Sequence, residues 1–175
     1  MKTLFNGLLS VHYGQAYVVS GPAFDSGLDA SFRGQSNGLC SASSPHGLFL
    51  ITGLHTGHVN FSVESSDAEP PLDPAWEDVV EVSCTMVNRP VLEEWAGQAS
   101  HPLDLAPGTY RVRYAAKGMD SASEVDTILD TEEAIDTYQL SFWPAEGDAP
   151  DLVVRQASQT AAYWNGWASS LPPTS

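Results

Sequence analysis

The sequence predicts an all-β domain, mainly antiparallel, built as a sandwich or flattened barrel with a short C-terminal helix. Three observations carry this expectation. Apolar and polar residues alternate over about seven or eight short segments, and turns rich in Gly and Pro separate those segments. No stretch supplies the crossover helices that a parallel sheet requires.

Taken in order, Ser10 to Ser20 alternates so that Val11, Tyr13, Gln15, Tyr17 and Val19 share one side of a first strand. Gln15 is its polar member and needs a hydrogen-bond partner if that side is buried. Gly21 to Pro45 is rich in Gly, Ser, Asp and Asn and reads as a long connection with one helical turn near Ser26 to Phe32. Leu48 to Glu64 reads as a hairpin closed by Thr56-Gly57, with Leu50, Thr52 and Leu54 opposite Val63, Phe61 and Val59 on a core-facing side.

Ser65 to Glu77 holds three prolines and several acids, which exclude a central strand and mark an exposed acidic loop. In Asp78 to Val87, the residues Val80, Val82, Cys84 and Met86 face one way. A short strand follows at Val91 to Trp95. Thr109 to Lys117 alternates Tyr110, Val112, Tyr114 and Ala116 with Arg111, Arg113 and Lys117, so three of the seven basic residues line one strand face. Gly118 to Asp136 has seven acids and no base, and is expected to be a solvated loop with a helical turn near Thr131 to Ile135. Tyr138, Leu140 and Phe142 mark a further strand, and Leu152 to Gln156 the last. Ser158 caps a short helix through Ala168, with Ala161, Trp164 and Ala168 on one stripe. A single domain over residues 1–168 and a disordered tail at 169–175 complete the reading.

A chain of 175 residues is long enough to bury a core without a metal or disulfide. Cys40 and Cys84 fit no framework or paired-ligand spacing and read as reduced thiols. The N-terminal stretch lacks a signal-peptide core, and no segment is apolar over a membrane's thickness, so a cytoplasmic protein with no membrane partner is expected. The formal charge of −15 disfavours nucleic acid as a partner, because phosphate binding needs clustered Lys and Arg, and it favours a basic protein partner.

The acidic segments supply the candidate contact residues: Glu64, Asp67, Glu69, Asp73, Glu77 and Asp78 in the first, and Asp120, Glu124, Asp126, Asp130, Glu132 and Glu133 in the second. No cofactor is expected. The alternative is a small-molecule or metal module centred on His55 and His58, because cross-strand partners beside a tight turn hold their Cβ atoms about 5 Å apart. A third ligand would come from His12, Asp78, Glu93 or Glu94. Gly34-Gln35-Ser36-Asn37-Gly38 matches the G-x-S-x-G pattern of a hydrolase nucleophile elbow, but it lies in a Gly/Ser-rich connection and lacks the strand and helix that would strain Ser36.

At Ser10-Val11-His12-Tyr13-Gly14-Gln15 and at Leu103 to Val112, LDLAPGTYRV, the chain resembles the bacterial competence protein J family. That resemblance implies a small β-rich inhibitor of a DNA-entry nuclease, acting by binding a protein. The acidic stretches at Ser65 to Glu77 and Asp120 to Asp136 and the aromatic C-terminal segment depart from the family pattern, and the resemblance assigns no functional residue here.

Overall fold

The computed structural model describes residues 1–21, 27–42, 47–146 and 149–172. Among these, eleven strands form two sheets. The six-stranded sheet has the order β1 (Lys2–Val11), β5 (Gly57–Ser65), β10 (Thr137–Pro144), β9 (Gly108–Lys117), β6 (Asp78–Met86), β11 (Leu152–Arg155). The five-stranded sheet has the order β3 (Cys40–Ser41), β4 (Gly47–Ile51), β2 (Gln15–Val19), β7 (Val91–Glu94), β8 (Ser100–Pro102). All pairings are antiparallel except that of β5 with β10. Three helices accompany them, α1 (Leu28–Phe32), α2 (Met119–Val125) and α3 (Gln159–Ser170). The expected β-rich, largely antiparallel chain with a short C-terminal helix is therefore present.

The alternation identifies the buried faces correctly. Val59, Phe61, Val63, Val80, Val82, Met86, Val112, Tyr114, Leu140 and Phe142 join Ala16, Val18, Leu48, Leu50 and Leu92 of the other sheet in one apolar core. Residues alternating along each strand thus meet in one shared core, where removal of apolar surface from water supplies the main stabilisation. In β4 all five residues are buried, because α1 and α3 cover its second face with Phe32 and Ala168 against Phe49 and Ile51. That double burial explains the unbroken Leu48-Phe49-Leu50-Ile51 run.

The pairing is different from the expected hairpin. β4 and β5 lie in different sheets, and residues 52–56 carry the chain from one to the other. The first predicted strand also divides, into β1 and β2, at a turn where Tyr13 and Gly14 both have positive φ (56° and 62°). These two crossings run side by side: β1 pairs with β5 up to Val11↔Gly57, Gly14 N donates to His55 O at 2.8 Å, Thr52 N donates to Gly14 O at 2.9 Å, and β2 pairs with β4 from Gln15↔Ile51. The result is one antiparallel ribbon folded across both sheets. Each strand of the expected hairpin finds its partner in the N-terminal segment, since both arrangements bury the same alternating residues. The turn's inversion also moves Tyr13 out of the core parity, and burial falls on Val11, Ala16 and Val18. Gln15 meets its need locally, accepting from the Tyr17 hydroxyl at 2.6 Å.

Three further expectations are corrected. The 118–136 segment is not wholly solvated: it forms α2 and inserts Met119, Ala122 and Ile128 into the core. No helix forms at Thr131 to Ile135. The C-terminal helix is capped by the Ser158 hydroxyl, which accepts from Ala161 N at 3.0 Å, and it continues through Ser170, two residues into the expected tail. Residues 173–175 of that tail, and residues 22–26 and 43–45 of the long connection, lie outside the described residues. No described helix is long and apolar enough to cross a membrane.

Candidate protein-binding surface

The outward face of β9 shows where the positive charge goes. Arg113 donates to Glu81 at 3.1 Å, to Glu69 at 3.0 Å and to the Pro70 carbonyl at 2.8 Å, and it lies 5.3 Å over the Trp143 ring. Arg111 is 3.5 Å from Glu81 and donates to the Ser83 hydroxyl at 2.9 Å. Lys117 lies 5.2 Å over Trp76, and Arg155 donates to the Trp76 carbonyl at 2.8 Å. These contacts strap the acidic proline-rich loop down on the six-stranded sheet. Lys2 and Arg89 both pair with Asp104, holding its carboxyl below the usual range, mainly through the Lys2 hydrogen bond, and Arg33 donates to the Pro172 carbonyl. Every one of the seven Lys and Arg is thereby held by the chain's own groups, and the exposed acids that these bases meet are Asp104 and Glu69.

The twelve candidate carboxylates divide into two groups. Eight hold the fold. Glu64 accepts from Ser141, Glu69 pairs with Arg113, Asp73 accepts from Ala75 N, and Glu77 accepts from Gly118 N. Asp120 accepts from Gln159 N, Thr160 N and the Thr160 hydroxyl, the last chiefly keeping its carboxyl below the ordinary value. Asp126 accepts from the Thr127 hydroxyl, and Glu132 from Leu129 N. Asp78 is a correction: it is fully buried and accepts from Ala157 N and Ser158 N, so it offers nothing to a partner. The remaining four, Asp67, Glu124, Asp130 and Glu133, are exposed, and among the described residues their side chains carry no hydrogen bond or ion pair. Asp130 and Glu133 border a shallow groove of about 440 Å³ with His58, Asn60 and Leu8, on the outward side of β1 and β5.

The two histidines are not cross-strand partners, because the hairpin that would pair them does not form. His55 Nδ1 lies 2.8 Å from the Thr56 hydroxyl and its ring packs on Tyr13, whereas His58 Nε2 donates to the Glu132 carbonyl at 2.8 Å. Among the described residues no group of three His, Cys, Asp or Glu is arranged to hold a metal. The proposed third ligands have other neighbours: His12 packs on Trp95, Glu94 accepts from Ser10 N, Glu93 faces Ser100, and Asp78 is in the core. The geometric basis of a His55/His58 metal module is therefore lost.

Ser36 follows α1 and precedes β3, the reverse of a strand-to-helix elbow, and its hydroxyl donates to Asp151 at 3.1 Å. Cys40 and Cys84 are free and buried, and burial pushes both thiols up, Cys84 to about 12. Neither is a nucleophile at neutral pH.

The burial of two carboxylates escaped the sequence reading. Asp78 and Asp136 each leave one oxygen unpartnered in the interior. A signal for both was present: Asp78 shares strand parity with Val80 and Val82, and Asp136 with Tyr138 and Leu140.

No protein-family model matches this sequence, and no curated protein sequence matches it. Among solved structures, the fold is similar to ComJ of Bacillus subtilis, described as an inhibitor of the DNA-degrading activity of NucA. The TM-score is 0.53 at 17% identity, over 82% of this chain and 98% of ComJ. It is also similar to a protein described as crocagin biosynthetic gene J, with a TM-score of 0.51 at 12% identity, over 83% of this chain and 98% of that one. At these identities the likeness is one of fold. The resemblance read from the two short motifs holds at that level.

Proposed function

We propose that this chain is a protein-binding domain that inhibits a cationic protein, in its specific form a DNA-degrading nuclease, through the carboxylates of the 118–136 segment and the 66–77 loop. One observation carries the reading: all seven basic side chains are engaged internally, while Asp67, Glu124, Asp130 and Glu133 remain exposed and unpaired. No Lys or Arg is left unengaged to offset the excess of acid behind the net formal charge of −15. A nuclease cleft is basic because it binds phosphates, so a surface of this sign competes with its substrate and speeds encounter in a salt-dependent manner. The fold's likeness to ComJ adds support for this specific form.

The test is a DNA-degradation assay. Purified chain is titrated into purified NucA and into extracts of the cells that carry the chain, at low and at high salt. Concentration-dependent protection of DNA that weakens as salt rises is the expected result. Undiminished degradation at every salt concentration overturns the nuclease form.

A further inference from the structure

Three separate connections bring aromatic rings to one spot at the end of the two sheets. Tyr13 comes from the β1–β2 turn, His55 from the β4–β5 crossing, and Trp95 from the 3₁₀ turn that follows β7. The Tyr13 ring lies 5.2 Å from both His55 and Trp95, and His12 lies 5.7 Å from Trp95. Tyr13 is nevertheless 59% exposed, so folding gains little from burying it.

The backbone beneath the cluster is strained in two places. Tyr13 has φ 56° and Ala96 has φ 55°, the left-handed region that favours Gly, Asn or Asp. Gly or Asn at position 13 would satisfy this turn with less strain, yet the chain places there a bulky ring that stays in water. Strain held at an exposed aromatic with no return in core packing points toward recognition. Tyr and Trp on stiff turns also make effective interface anchors, because little side-chain freedom is lost on binding.

The charge around the cluster selects the kind of partner. The Asp126 carbonyl accepts from both His55 N and Thr56 N, which joins the cluster to the acidic 118–136 segment, where Asp126 is itself exposed. All seven Lys and Arg side chains find their partners away from this cluster. We infer that Tyr13 and Trp95 form the anchor of a docking surface for a basic protein, with Tyr13 entering an apolar slot set in that protein's positive face. This inference rests on the protein-binding reading above and names the centre of its contact.

The test places a photo-crosslinking benzophenone amino acid at position 13, or at position 163 as a control, in the full chain incubated with native lysate. Tyr163 is 66% exposed on α3, away from the cluster. The expected result is one protein with more Lys and Arg than Asp and Glu, crosslinked from position 13 and not from 163. Excess wild-type chain should suppress the crosslink, whereas Tyr13→Asn should need at least tenfold more. The melting temperature of Tyr13→Asn should be no lower than that of wild type. If the crosslinked protein is a nuclease, both readings stand; if it is basic but degrades no DNA, the surface stands and the nuclease form falls. No crosslink from 13, the same products from 13 and 163, an acidic product, equal competition by Tyr13→Asn, or a melting temperature lowered by that change would each overturn the inference.

Discussion

The Tyr138 hydroxyl donates to Asp136 Oδ2 at 2.5 Å inside the core, and the same oxygen accepts from Leu54 N at 3.1 Å. The other carboxylate oxygen has no partner. This pair ties the start of β10 to the crossing between the sheets, in surroundings where an ionised carboxylate is poorly solvated. Burial, the largest influence, raises the Asp136 carboxyl above its ordinary 3.8.

A raised folded value makes the contribution of Asp136 to stability greatest below the unfolded value near 3.8, and that contribution is lost as pH rises through the folded value. Asp136→Asn keeps an acceptor for Tyr138 and Leu54 and does not titrate. The stability of wild type relative to Asp136→Asn is therefore expected to fall as pH rises from about 4 toward 7 in urea unfolding. A difference that stays constant over that window would place an ordinary carboxyl at the site. Asp136→Ala leaves two buried donors without an acceptor and is expected to cost about 1 to 3 kcal/mol for each.

Arg113 and Glu81 form a nearly buried pair on the outward face of the sheet, with side chains 8% and 10% exposed. Removing Arg113 leaves Glu81 with Arg111 alone, at 3.5 Å, so Arg113→Ala is expected to destabilise by about 1 to 3 kcal/mol, less than the loss of an isolated buried pair. The double change to Arg113→Met and Glu81→Leu should recover much of that loss. A double-mutant cycle by denaturant unfolding checks both, and additive single effects would show that the pair is uncoupled.

Asp120 links α2 to α3 by accepting two backbone donors at the start of α3. Asp120→Ala is expected to cost about 1 kcal/mol, in the range of a lost helix cap. Since its folded value is depressed, chiefly by the Thr160 hydroxyl, the carboxylate's contribution is present above the unfolded value near 3.8 and fades as pH falls below it. Thermal melting of wild type and variant should converge in acid.

Replacing Asp67, Glu124, Asp130 and Glu133 together by their amides removes four negative charges without touching a hydrogen bond of the fold. Stability is expected to change by no more than about 0.5 kcal/mol per site. Association with a basic partner should slow by roughly tenfold at low salt, with little change at high salt. Stopped-flow or surface-capture kinetics at two ionic strengths separates this outcome from a purely solubilising role.

Gly38 sits where α3 meets the connection before β3: a Cβ there would lie 2.0 Å from the Trp164 carbonyl oxygen, a backbone atom that cannot swing away. Gly38 N also donates to Asn165 at 2.8 Å. Gly38→Ala is expected to displace α3 at a cost of about 3 kcal/mol, at the upper end of overpacking. Loss of protection from hydrogen exchange along α3 would be the direct readout.

The sequence by itself determined which residues face inward. Val59, Phe61 and Val63, Val80, Val82 and Met86, and Tyr138, Leu140 and Phe142 are buried as their alternation requires, and Ser158 caps the helix its side chain predicts. Parity along a strand is local, set by the backbone's two-residue repeat, and survives whatever the strand pairs with. Pairing is not local. Leu50 and Val63 bury the same surface whether β4 and β5 pair with each other or with the two halves of the N-terminal segment, and only the fold of that ribbon across both sheets decides. The acidic surface was legible as composition, since the excess of Asp and Glu needs no coordinates. Which carboxylates face outward was a tertiary decision, because Arg113 reaches Glu81 and Glu69, and Asp78 reaches Ala157 and Ser158, over separations of 32 to 80 residues that no local pattern encodes.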